Sequence, residues 1–567
     1  MNLINELKAI QEQHGYLPEA ELRAFSQRAI IPLYQIQAVA SFYPHFRLQP
    51  GPKIEVKVCA DLSCHLAGAR PLHQAAERHA AATLRTAPNS EPPCTVGSVS
   101  CLGRCDQAPA VAINDTIYSG VDESRLVSLL DAFARGQVPD NPFVQQGTES
   151  PVIDPYTQES DRFAALRQLL TTRDVALVIQ ALKDSGLRGM GGAGFPTGVK
   201  WEIVRNAAGD EKYVVVNADE SEPGTFKDRF LMEKFPHLLI EGILLGAFVV
   251  GAKKAFIFLR HEYPHQEHVL AHALDVARTQ GVIGTNIFGS DFSCDIEIFV
   301  SAGGYICGEE TALLEALEGK RAEPRNKPPF PGTHGLWGKP TLINNVETLS
   351  MIPGILQRGA TWFKSQGRTN NGLKYIGLSG HVARPGVYEV PLGLSVNEFI
   401  THYGGGISAG KKLKAFSPGG ASSGFLPASM VDVALDFQAL AQVGSMLGSG
   451  AVVALAEGTC MLDAALNVVT FFRNESCGKC VPCRVGSDKL VQILERATRG
   501  QADISEIDLI GELAETMQLT SICGLGQAAP LPITSVLKYF KDEVMLHLTE
   551  KRCPEGVCFR TVKSEKL

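Results

Sequence analysis

The sequence lacks any apolar run long enough to cross a bilayer. The longest run, residues 238–252, is interrupted by Glu241 and followed by Lys253 and Lys254, whereas a membrane-spanning helix needs about 20 apolar residues. This run therefore predicts a buried helix. Residues 1–8 also lack a basic segment followed by an apolar stretch, so we expect no secretory signal.

Excess positive charge is also missing. Lys and Arg number 53 against 60 Asp and Glu, which gives a formal net charge of −7. Such a balance offers no electrostatic attraction to nucleic acid or to an anionic membrane, and nucleic-acid binding is not expected. The composition, 45% hydrophobic and 20% charged, is that of a globular protein, and 567 residues suffice for about three to five domains.

Cysteine is abundant, and most of the 14 cysteines lie in tight groups. This spacing favours metal-binding thiolates over disulfides and hence a reducing cytoplasm. Cys59 and Cys64 form a C-x4-C pair after a strand-like run at 53–58, and Cys101 and Cys105 form a C-x3-C pair after another at 94–100. A helix is expected between them, at 71–84. Zinc usually takes C-x2-C loops, so these wider loops favour a 2Fe-2S cluster, with zinc or a chance grouping of cysteines as the alternatives.

A second four-cysteine set is predicted near the C-terminus. Its C-x2-C-x2-C loop, closed by a distant cysteine, is typical of a 4Fe-4S cluster; the ligands are Cys477, Cys480, Cys483 and Cys523. Isolated cysteines, including Cys460, are expected in the core. Cys553 and Cys558 have C-x4-C spacing without an evident second pair, and we expect free thiols there unless another chain supplies ligands.

Five glycines fall between residues 186 and 194, and Gly189, Gly191 and Gly194 match G-x-G-x-x-G. The dinucleotide fingerprint requires a strand before the loop and a helix after it. Here apolar periodicity predicts a helix at 174–183 before the glycines and a strand at 213–216 after them. We therefore expect a ligand loop outside the ordinary dinucleotide fold; a flexible linker is the alternative.

Polar residues follow two apolar, strand-like runs. Asn217, Asp219, Glu220 and Glu222 follow the run at 213–216, where a parallel sheet presents ligand contacts, although a solvated turn has the same composition. Carboxylates accept hydrogen bonds from ribityl or ribose hydroxyls. The run at 295–300 leads to residues 308–311, which predict a helix whose N-terminus could bind an anion.

A basic, proline-rich segment and two amides complete the candidate binding residues. The segment at 320–331, with Lys327 and Phe330, suits either a dinucleotide or a plain surface loop. Asn344 and Asn345 supply amide donors and acceptors for a flavin ring edge.

Motifs at both ends of the chain resemble subunits of respiratory complex I. Residues 1–125, with Gly-Tyr-Leu-Pro at 15–18, Ala-Ser-Phe-Tyr at 40–43 and Cys-Leu-Gly-Arg-Cys-Asp-Gln-Ala-Pro at 101–109, resemble its thioredoxin-like 2Fe-2S subunit. Residues 161–550, with Gly-Gly-Ala-Gly-Phe-Pro-Thr-Gly, Asn-Ala-Asp-Glu-Ser-Glu-Pro-Gly-Thr and Cys-Gly-Glu-Glu-Thr, resemble its flavoprotein subunit. The same motifs are similar to the diaphorase subunits of NAD-linked hydrogenases and formate dehydrogenases.

The resemblance implies particular ligands for two nucleotide cofactors. It implies FMN held by Gly189, Gly191, Gly192, Lys200, Asn217, Asp219, Tyr305, Gly308, Glu309, Asn344 and Asn345. It implies NAD(H) held by Phe195, Glu220, Glu222, Glu310, Lys327 and Phe330. Glu220 and Glu310 would also lower the flavin potential by destabilising its anionic reduced form. Two positions depart from the complex I pattern: Met190 replaces an arginine, for which Arg188 is the nearest substitute, and Ile203 replaces an aromatic residue.

The expected architecture is α/β and multidomain. We expect a helical cap at 1–50, a thioredoxin-like 2Fe-2S domain at 51–132, a linker at 133–160 and a Rossmann-like FMN/NAD domain at 161–370. A small β-grasp insert at 371–445 and a helical 4Fe-4S domain at 446–567 complete the chain.

Together these features predict an NAD(H):acceptor oxidoreductase subunit with FMN, NAD(H), one 2Fe-2S and one 4Fe-4S cluster. The favoured assignment is the β subunit of a cytoplasmic NAD-dependent formate dehydrogenase, in a hetero-oligomer whose large molybdenum- or tungsten-pterin subunit carries further iron–sulfur clusters. Alternatives are the diaphorase subunit of an NAD-linked hydrogenase, a complex I-type NADH dehydrogenase, and an electron-relay protein that does not use NAD.

Overall fold

A computed structural model describes residues 2–83, 94–141, 146–148, 150–369 and 371–559. The chain begins with three helices: α1 (Leu3–His14), α2 (Glu19–Ala29) and α3 (Leu33–Ala40). The Asn2 side chain caps α1 by accepting from the Ile4 and Asn5 amides, and Gly15 ends it with a φ of 77°. These helices were expected to cover the 2Fe-2S domain. Their buried side chains, such as Leu7, share a core with Leu62 of the 2Fe-2S domain and also with Phe299 and Leu313 of the parallel-sheet domain.

The first sheet has the order β2-β1-β3-β4. Its elements are β1 (Ile54–Cys59), α4 (Leu62–Leu66), α5 (Ala69–Thr83), β2 (Cys94–Val99), β3 (Ala110–Ile113), β4 (Thr116–Ser119) and α6 (Glu123–Ala134). Strands β1 and β2 are parallel and pair Cys59 with Val99. Both cysteine-bearing loops therefore leave the same edge of the sheet, as the sequence predicts. The last residue of the predicted helix at 71–84, Leu84, lies outside the described residues.

The predicted linker is packed where the structure describes it; residues 142–145, including Pro142, and residue 149 lie outside that part. Gly147 forms a parallel bridge with Val387, and the Ile153 amide donates to Glu389 over 2.9 Å. Ile153 is fully buried. This segment is therefore fastened to the body of the protein.

A four-stranded parallel sheet with the order β7-β6-β5-β8 forms the central domain. Its elements are α7 (Ala164–Thr172), α8 (Val175–Ser185), α9 (Thr197–Asn206), β5 (Tyr213–Ala218), α10 (Lys227–Lys234), α11 (Pro236–Val250), β6 (Lys254–Leu259), α12 (Pro264–Thr279), β7 (Asp295–Val300), α13 (Glu310–Leu317), α14 (Pro331–His334), β8 (Thr341–Asn345), α15 (Val346–Arg358) and α16 (Ala360–Ser365). Helix α11 is buried on nearly every face, as its apolar sequence predicts.

Helix α9 corrects the predicted surroundings of the glycine loop. The loop lies between α8 and α9, so a helix and not a strand follows it directly. Trp201 and Val204, three residues apart, are the buried side chains of its middle and last turns. The loop is preceded by α8 and not by a strand. The described residues around the loop therefore do not form the ordinary dinucleotide arrangement.

The insert contains a five-stranded sheet with the order β10-β9-β13-β11-β12. Its elements are β9 (Leu373–Gly380), β10 (Gly386–Pro391), α17 (Val396–Glu398), β11 (Leu413–Ser417), β12 (Leu426–Pro427), α18 (Phe437–Gln442) and β13 (Ala451–Ala456). Strand β13 is fully buried between β9 and β11. The expectation of a helical domain beginning at 446 is therefore wrong over this strand, because a buried six-residue apolar run completes the sheet of the insert.

The remaining elements are helical: α19 (Met461–Asn474), α20 (Val481–Thr498), α21 (Glu506–Thr520), α22 (Gly524–Ala528), α23 (Leu531–Tyr539) and α24 (Lys541–Thr549). Their apolar faces share one core with the N-terminal helices and with one side of the parallel sheet. Among the described helices, none combines the length and the hydropathy needed to cross a membrane.

Candidate cofactor sites

The glycine loop lies against the carboxyl end of β8. The Gly189 amide donates to the Phe195 carbonyl over 2.8 Å and closes the loop. A Cβ atom on Gly191 would lie 3.0 Å from the Cβ of Asn345, so any larger residue there would require Asn345 to shift. Outside the loop, Thr348 Oγ1 accepts from the Met190 amide over 2.9 Å. The loop is therefore held in one conformation, and a flexible linker is excluded.

Helix α9 places two polar side chains beside β8. Lys200 Nζ donates to the Ile343 carbonyl over 3.2 Å, and Trp201 Nε1 donates to Asn344 Oδ1 over 2.9 Å. Burial lowers the pKa of Lys200. The indole bond occupies the Asn344 oxygen, which leaves its amide nitrogen for other partners.

The carboxyl end of β5 brings the other expected FMN residues together. Asn217 Nδ2 donates to the Gly308 carbonyl over 2.7 Å, and the Asp219 amide donates to Asn217 Oδ1 over 3.2 Å. Asp219 Oδ1 accepts from Ser221, whereas Oδ2 is buried without a partner in the described structure. Burial raises the pKa of Asp219 to about 7. An unsatisfied buried acceptor next to Gly308 fits a ribityl hydroxyl of FMN.

Glu220 is directed into the protein. Its carboxylate accepts from the Asp228 and Arg229 amides over 2.7 and 3.0 Å and so caps the first turn of α10. Tyr263 Oη lies 3.1 Å from Glu220 Oε2. Burial raises the pKa of Glu220 to about 7. The sequence did not indicate this capping role, because it depends on the turn between β5 and α10.

Glu309 and Glu310 form an ionic cluster with two lysines. Lys327 Nζ lies 2.9 Å from Glu309 Oε1 and 3.1 Å from Glu310 Oε1, and Lys200 Nζ lies 3.8 Å from Glu310 Oε2. The Thr311 and Ala312 amides both donate to Glu309. The predicted anion site at this helix start is therefore wrong, since the side chain of Glu309 already caps α13.

Two aromatic residues expected to contact NAD(H) are exposed: Phe195 is 43% and Phe330 is 58% accessible. Lys200 Nζ lies 6.0 Å from the centre of the Phe195 ring. Glu222 differs, because its carboxylate accepts from the Ser422 amide over 2.9 Å and burial raises its pKa. Phe195 thus adjoins Lys200, which is predicted to bind FMN, while Glu222 joins this site to the insert.

Met190 is buried, with 1% of its surface accessible. Lys374 Nζ donates to the Met190 carbonyl over 3.2 Å and lies 3.1 Å from Glu347 Oε2. Arg188, the expected substitute for the missing arginine, donates to the Gly194 carbonyl over 3.2 Å. The contact of Lys374 with the glycine loop could not be predicted from the sequence, because Lys374 lies in the insert, far from the loop along the chain.

The four cysteines of the predicted 2Fe-2S set, Cys59, Cys64, Cys101 and Cys105, converge between the 2Fe-2S domain and the central domain. Cys101 Sγ lies 3.4 Å from Cys105 Sγ, and Cys59 is within hydrogen-bonding contact of Cys101 and Cys64. Hydrogen bonds from Cys105 and Cys59 hold the pKa of Cys101 well below its usual value. Four buried thiols, linked in a series of contacts from Cys64 through Cys59 and Cys101 to Cys105, are a donor set that fits an iron–sulfur cluster.

Groups from the central domain complete this cysteine site. The Gly224 amide donates to Cys105 Sγ over 3.3 Å, and Arg260 Nη2 donates to the Cys101 carbonyl over 2.6 Å. Arg229 Nη2 lies 3.0 Å from both carboxylate oxygens of Asp106, and both side chains are almost fully buried. The two domains are therefore joined next to the cysteine ligands.

The second four-cysteine set lies where α20 and α22 begin. Cys480 precedes α20, Cys483 lies in its first turn, and Cys523 precedes α22. A Cβ atom on Gly526 would lie 2.9 Å from Cys483 Cβ, so the two helix starts adjoin. Burial raises the pKa values of Cys483 and Cys523 to about 12 and 11, and bound iron would offset this cost by stabilising the thiolates.

Glu475 connects all three cofactor segments. Its Oε1 accepts from Ser100, which precedes Cys101, and its Oε2 accepts from the Tyr305 amide over 2.7 Å. Cys477, a predicted ligand of the 4Fe-4S cluster, follows two residues later. In the sequence, only the proximity of Glu475 to Cys477 indicates this connecting role.

Cys553 and Cys558 are free thiols, as expected, but they have neighbours that the sequence does not reveal. Cys553 and Cys558 lie with Cys460 and His547, and the four ligand atoms are all within 4.8 Å of one another. The second pair of ligands comes from α24 and from the residue before α19. Another chain is therefore not needed to complete the group.

Comparison with known proteins places these sites in a family. The description "Nuo51 FMN-binding domain" matches residues 182–354, "Thioredoxin-like [2Fe-2S] ferredoxin" matches 1–134, "SLBB domain" matches 375–426, and "NADH-ubiquinone oxidoreductase-F iron-sulfur binding region" matches 463–547. An F-type subunit of the NADH-quinone oxidoreductase of Rhizobium meliloti is 45% identical over 69% of this chain and 93% of its own length. The chain belongs to this family of NADH-quinone oxidoreductase flavoprotein subunits.

Hydrogenase subunits are among the relatives. The NADP-reducing hydrogenase subunit HndC of Solidesulfovibrio fructosivorans is 44% identical over 72% of this chain and 84% of its own length. The crystal structure of an air-oxidized NAD+-reducing [NiFe]-hydrogenase superposes with a TM-score of 0.86 at 31% identity, covering 96% of this chain and 94% of that one.

These matches confirm the predicted fold classes and cofactors. The chain combines a thioredoxin-like 2Fe-2S domain, an FMN-binding α/β domain, an SLBB insert, which is the expected β-grasp piece, and a C-terminal 4Fe-4S region. It is a flavoprotein subunit of an NADH-binding oxidoreductase family.

Proposed function

We propose that this chain exchanges hydride between NAD(H) and FMN and passes single electrons through its iron–sulfur clusters to or from a partner subunit. FMN supplies the link between a two-electron hydride donor and one-electron clusters. The contacts of Glu475 carry the proposal: one carboxylate joins Ser100 beside a 2Fe-2S ligand, Tyr305 of the FMN set and the loop of Cys477. Contacts that hold these three segments together favour the exchange of electrons between the cofactors that the segments would bind.

The protein's part is binding and orientation. The FMN set surrounds the carboxyl ends of β5 and β8, where Asp219 offers its unpartnered oxygen. Lys327 and Lys200 stand beside Glu310, and the exposed rings of Phe195 and Phe330 are surfaces on which a nicotinamide dinucleotide could stack. We assign NAD(H) binding to these residues together with Glu222. Glu220 is left out of this set, because both of its carboxylate oxygens already accept from backbone amides of α10.

We further propose that the partner oxidises formate, so that the complex converts formate and NAD+ to CO2 and NADH in the cytoplasm. The expected partner is a large molybdenum- or tungsten-pterin subunit with further iron–sulfur clusters. The resemblance of the loop at 186–192 to such enzymes supports this assignment, whereas the fusion of the 2Fe-2S and flavin modules in one chain is shared with the hydrogenase candidate. A separate substrate subunit is required, since the described residues provide no evident second substrate site.

The intact complex tests the partner's substrate. The complex is purified anaerobically, and NADH formation at 340 nm is followed with NAD+ plus formate or NAD+ plus hydrogen. We expect NADH only with formate, together with about one molybdenum or tungsten per complex. NADH formation with hydrogen alone would reject the formate assignment and leave the hydride-exchange function intact.

A hydrogenase partner is the second candidate. The likeness to a subunit of an NAD+-reducing [NiFe]-hydrogenase extends over 96% of this chain and so includes the 2Fe-2S module. Nickel in the purified complex and NADH formation from hydrogen would support this candidate.

A further inference from the structure

We propose that Cys460, His547, Cys553 and Cys558 form a structural zinc site that fastens the C-terminal segment to the helix preceding the 4Fe-4S loop. These residues lie outside both cluster sets. Among the described residues, they form a group of Cys, His, Asp or Glu side chains whose ligand atoms all lie within 4.8 Å of one another. The proposal does not depend on the substrate of the partner subunit.

The separations match the edges of a zinc tetrahedron. Cys460 Sγ lies 3.7 Å from Cys558 Sγ and 3.5 Å from His547 Nε2. With Zn–S bonds of about 2.3 Å, two thiolates on one tetrahedral ion lie about 3.8 Å apart, and a shorter Zn–N bond brings sulfur and nitrogen slightly closer. A disulfide would require about 2.05 Å between the sulfurs. The observed separation therefore indicates two ligands of one ion.

The imidazole is oriented for coordination through Nε2. Its Nδ1 lies 2.8 Å from the Glu543 carbonyl, and since a carbonyl only accepts, the proton resides on Nδ1. The Nε2 lone pair then faces Cys460. Histidines that bind metals usually donate their other ring N–H in this way, which fixes the tautomer.

The surroundings hold the ligand segments in place. Glu543 accepts from the Met461 amide over 2.7 Å and pairs with Lys414 over 2.8 Å. Lys414 also pairs with Glu555 over 2.8 Å, between the two tail cysteines. Cys460, His547 and Cys553 are buried, at 2%, 0% and 8% accessible. The site is thus enclosed and supported by charged groups that reach all three segments.

The donor set selects zinc over a third cluster. Three thiolates and one imidazole in a closed tetrahedron are a structural zinc set. Ligands of a 4Fe-4S cube bind four separate iron atoms and must spread farther apart. In neither predicted cluster quartet of the described chain do the ligand atoms gather within 4.8 Å of one another as they do here.

The location of the site indicates a structural role for the ion. Cys460 immediately precedes α19, and α19 ends at Asn474, three residues before Cys477. Zinc would join the start of this helix to α24 and to residues 553–558. We infer that it stabilises the framework on which the 4Fe-4S loop is built and takes no part in electron transfer, since Zn2+ has no redox chemistry.

The native chain in its complex provides the first test. Metal analysis should give about one zinc per chain, and zinc K-edge absorption should fit three sulfurs at about 2.3 Å and one nitrogen at about 2.0–2.1 Å. Absence of zinc from a preparation whose iron–sulfur clusters are fully loaded would overturn the proposal. A shell of oxygen ligands would overturn it as well.

Substitutions locate the ion. The double variant Cys553→Ser, Cys558→Ser should lose at least about nine-tenths of the zinc and keep its iron, whereas Cys94→Ser, which alters an isolated buried thiol, should keep both metals. Zinc retained by the double variant would contradict the assignment. If that variant does not accumulate, the absorption spectrum of the native complex decides the question alone.

Discussion

Adjacent carboxylates at the end of β5 have different surroundings. Asp219 keeps one buried oxygen without a partner, whereas both oxygens of Glu220 accept from backbone amides of α10. The sequence places both at a ligand-binding edge and cannot separate them, because the difference arises from the direction of the chain after β5. Direct tuning of the flavin is therefore better tested at Glu310, which caps no helix.

Replacing Glu310 by Gln should raise the flavin midpoint potential. The substitution removes a negative charge and leaves Lys200 and Lys327, 3.8 and 3.1 Å from that carboxylate, less compensated, and both changes favour an anionic reduced flavin. The expected shift is on the order of 30 mV, or about 1.4 kcal/mol for a two-electron couple.

A spectroscopic redox titration under NADH-free conditions measures this shift. Glu211→Gln is the matched control, because it removes the same charge near the amino end of β5 and should leave the potential unchanged. An unchanged potential in Glu310→Gln would remove Glu310 from the tuning role.

The buried carboxyl of Glu241 should make stability depend on pH. Burial raises its pKa to about 7, so between about pH 4.5 and 7 the folded state keeps a proton that the unfolded state releases. The unfolding free energy therefore falls as pH rises through this window. Glu241→Gln cannot titrate, so its stability relative to the parent should rise by roughly 1–3 kcal/mol between pH 5 and 8.

Thermal midpoints of cofactor-loaded protein at several pH values measure this trend. The quantity to compare is the slope of the thermal midpoint against pH, since glutamine also disturbs the hydrogen bonds from Tyr156 and Leu166 and so changes the midpoint at every pH. Glu457→Gln, at an exposed position, should follow the parent at every pH. Parallel curves for Glu241→Gln and the parent would show that Glu241 keeps an ordinary pKa.

At the scale of elements, the close packing of α11 against α15 supports the parallel sheet. A Cβ atom on Gly242 would lie 2.2 Å from the Leu349 carbonyl oxygen, so Gly242→Ala must separate the two helices. We expect a loss of about 1–3 kcal/mol, seen as a lower thermal midpoint.

Gly511→Ala is the matched helix control, because a Cβ atom there meets nothing within 4 Å. Alanine should stabilise that helix by roughly 0.5–1 kcal/mol. A rise in the midpoint for both variants would contradict the packing of α11 on α15.

Long periodic or strongly apolar segments were predictable, and short ones were not. Helix α11 and strands β5 and β7 follow from their apolar patterns. Helix α9 was missed because its glycine-rich approach resembles a loop, although Pro196 and the spacing of Trp201 and Val204 signal a helix. Strand β13 is six small or branched apolar residues, which periodicity alone cannot distinguish from a helix.

The candidate sites, like the elements, are predictable only where their residues form a local pattern in the sequence. Each iron–sulfur set is predictable because most of its cysteines lie only a few residues from another cysteine of the set. Cys460, His547 and the tail cysteines come from three segments of the chain, and only the C-x4-C pair is visible in the sequence. Lys374 and Glu475 act across domain boundaries, and such contacts depend on docking that local patterns do not encode.

At the scale of the whole molecule, the cofactor segments belong to one connected body. Arg229 and Asp106 join the 2Fe-2S domain to the FMN-binding domain through a buried pair, and Glu475 joins both to the 4Fe-4S region. Lys374 and Glu222 fasten the insert to the flavin site. The docked arrangement therefore brings the segments of the predicted flavin site and of both predicted clusters into contact in one chain.

The most direct test of this account is an anaerobic titration of the complex with NADH, followed by flavin absorbance near 450 nm and by low-temperature EPR. We predict prompt bleaching of the flavin and the appearance of signals from reduced iron–sulfur clusters. Clusters that are present and reducible by dithionite, together with a flavin that NADH leaves oxidised, would contradict the account and indicate an electron-relay protein that does not use NAD.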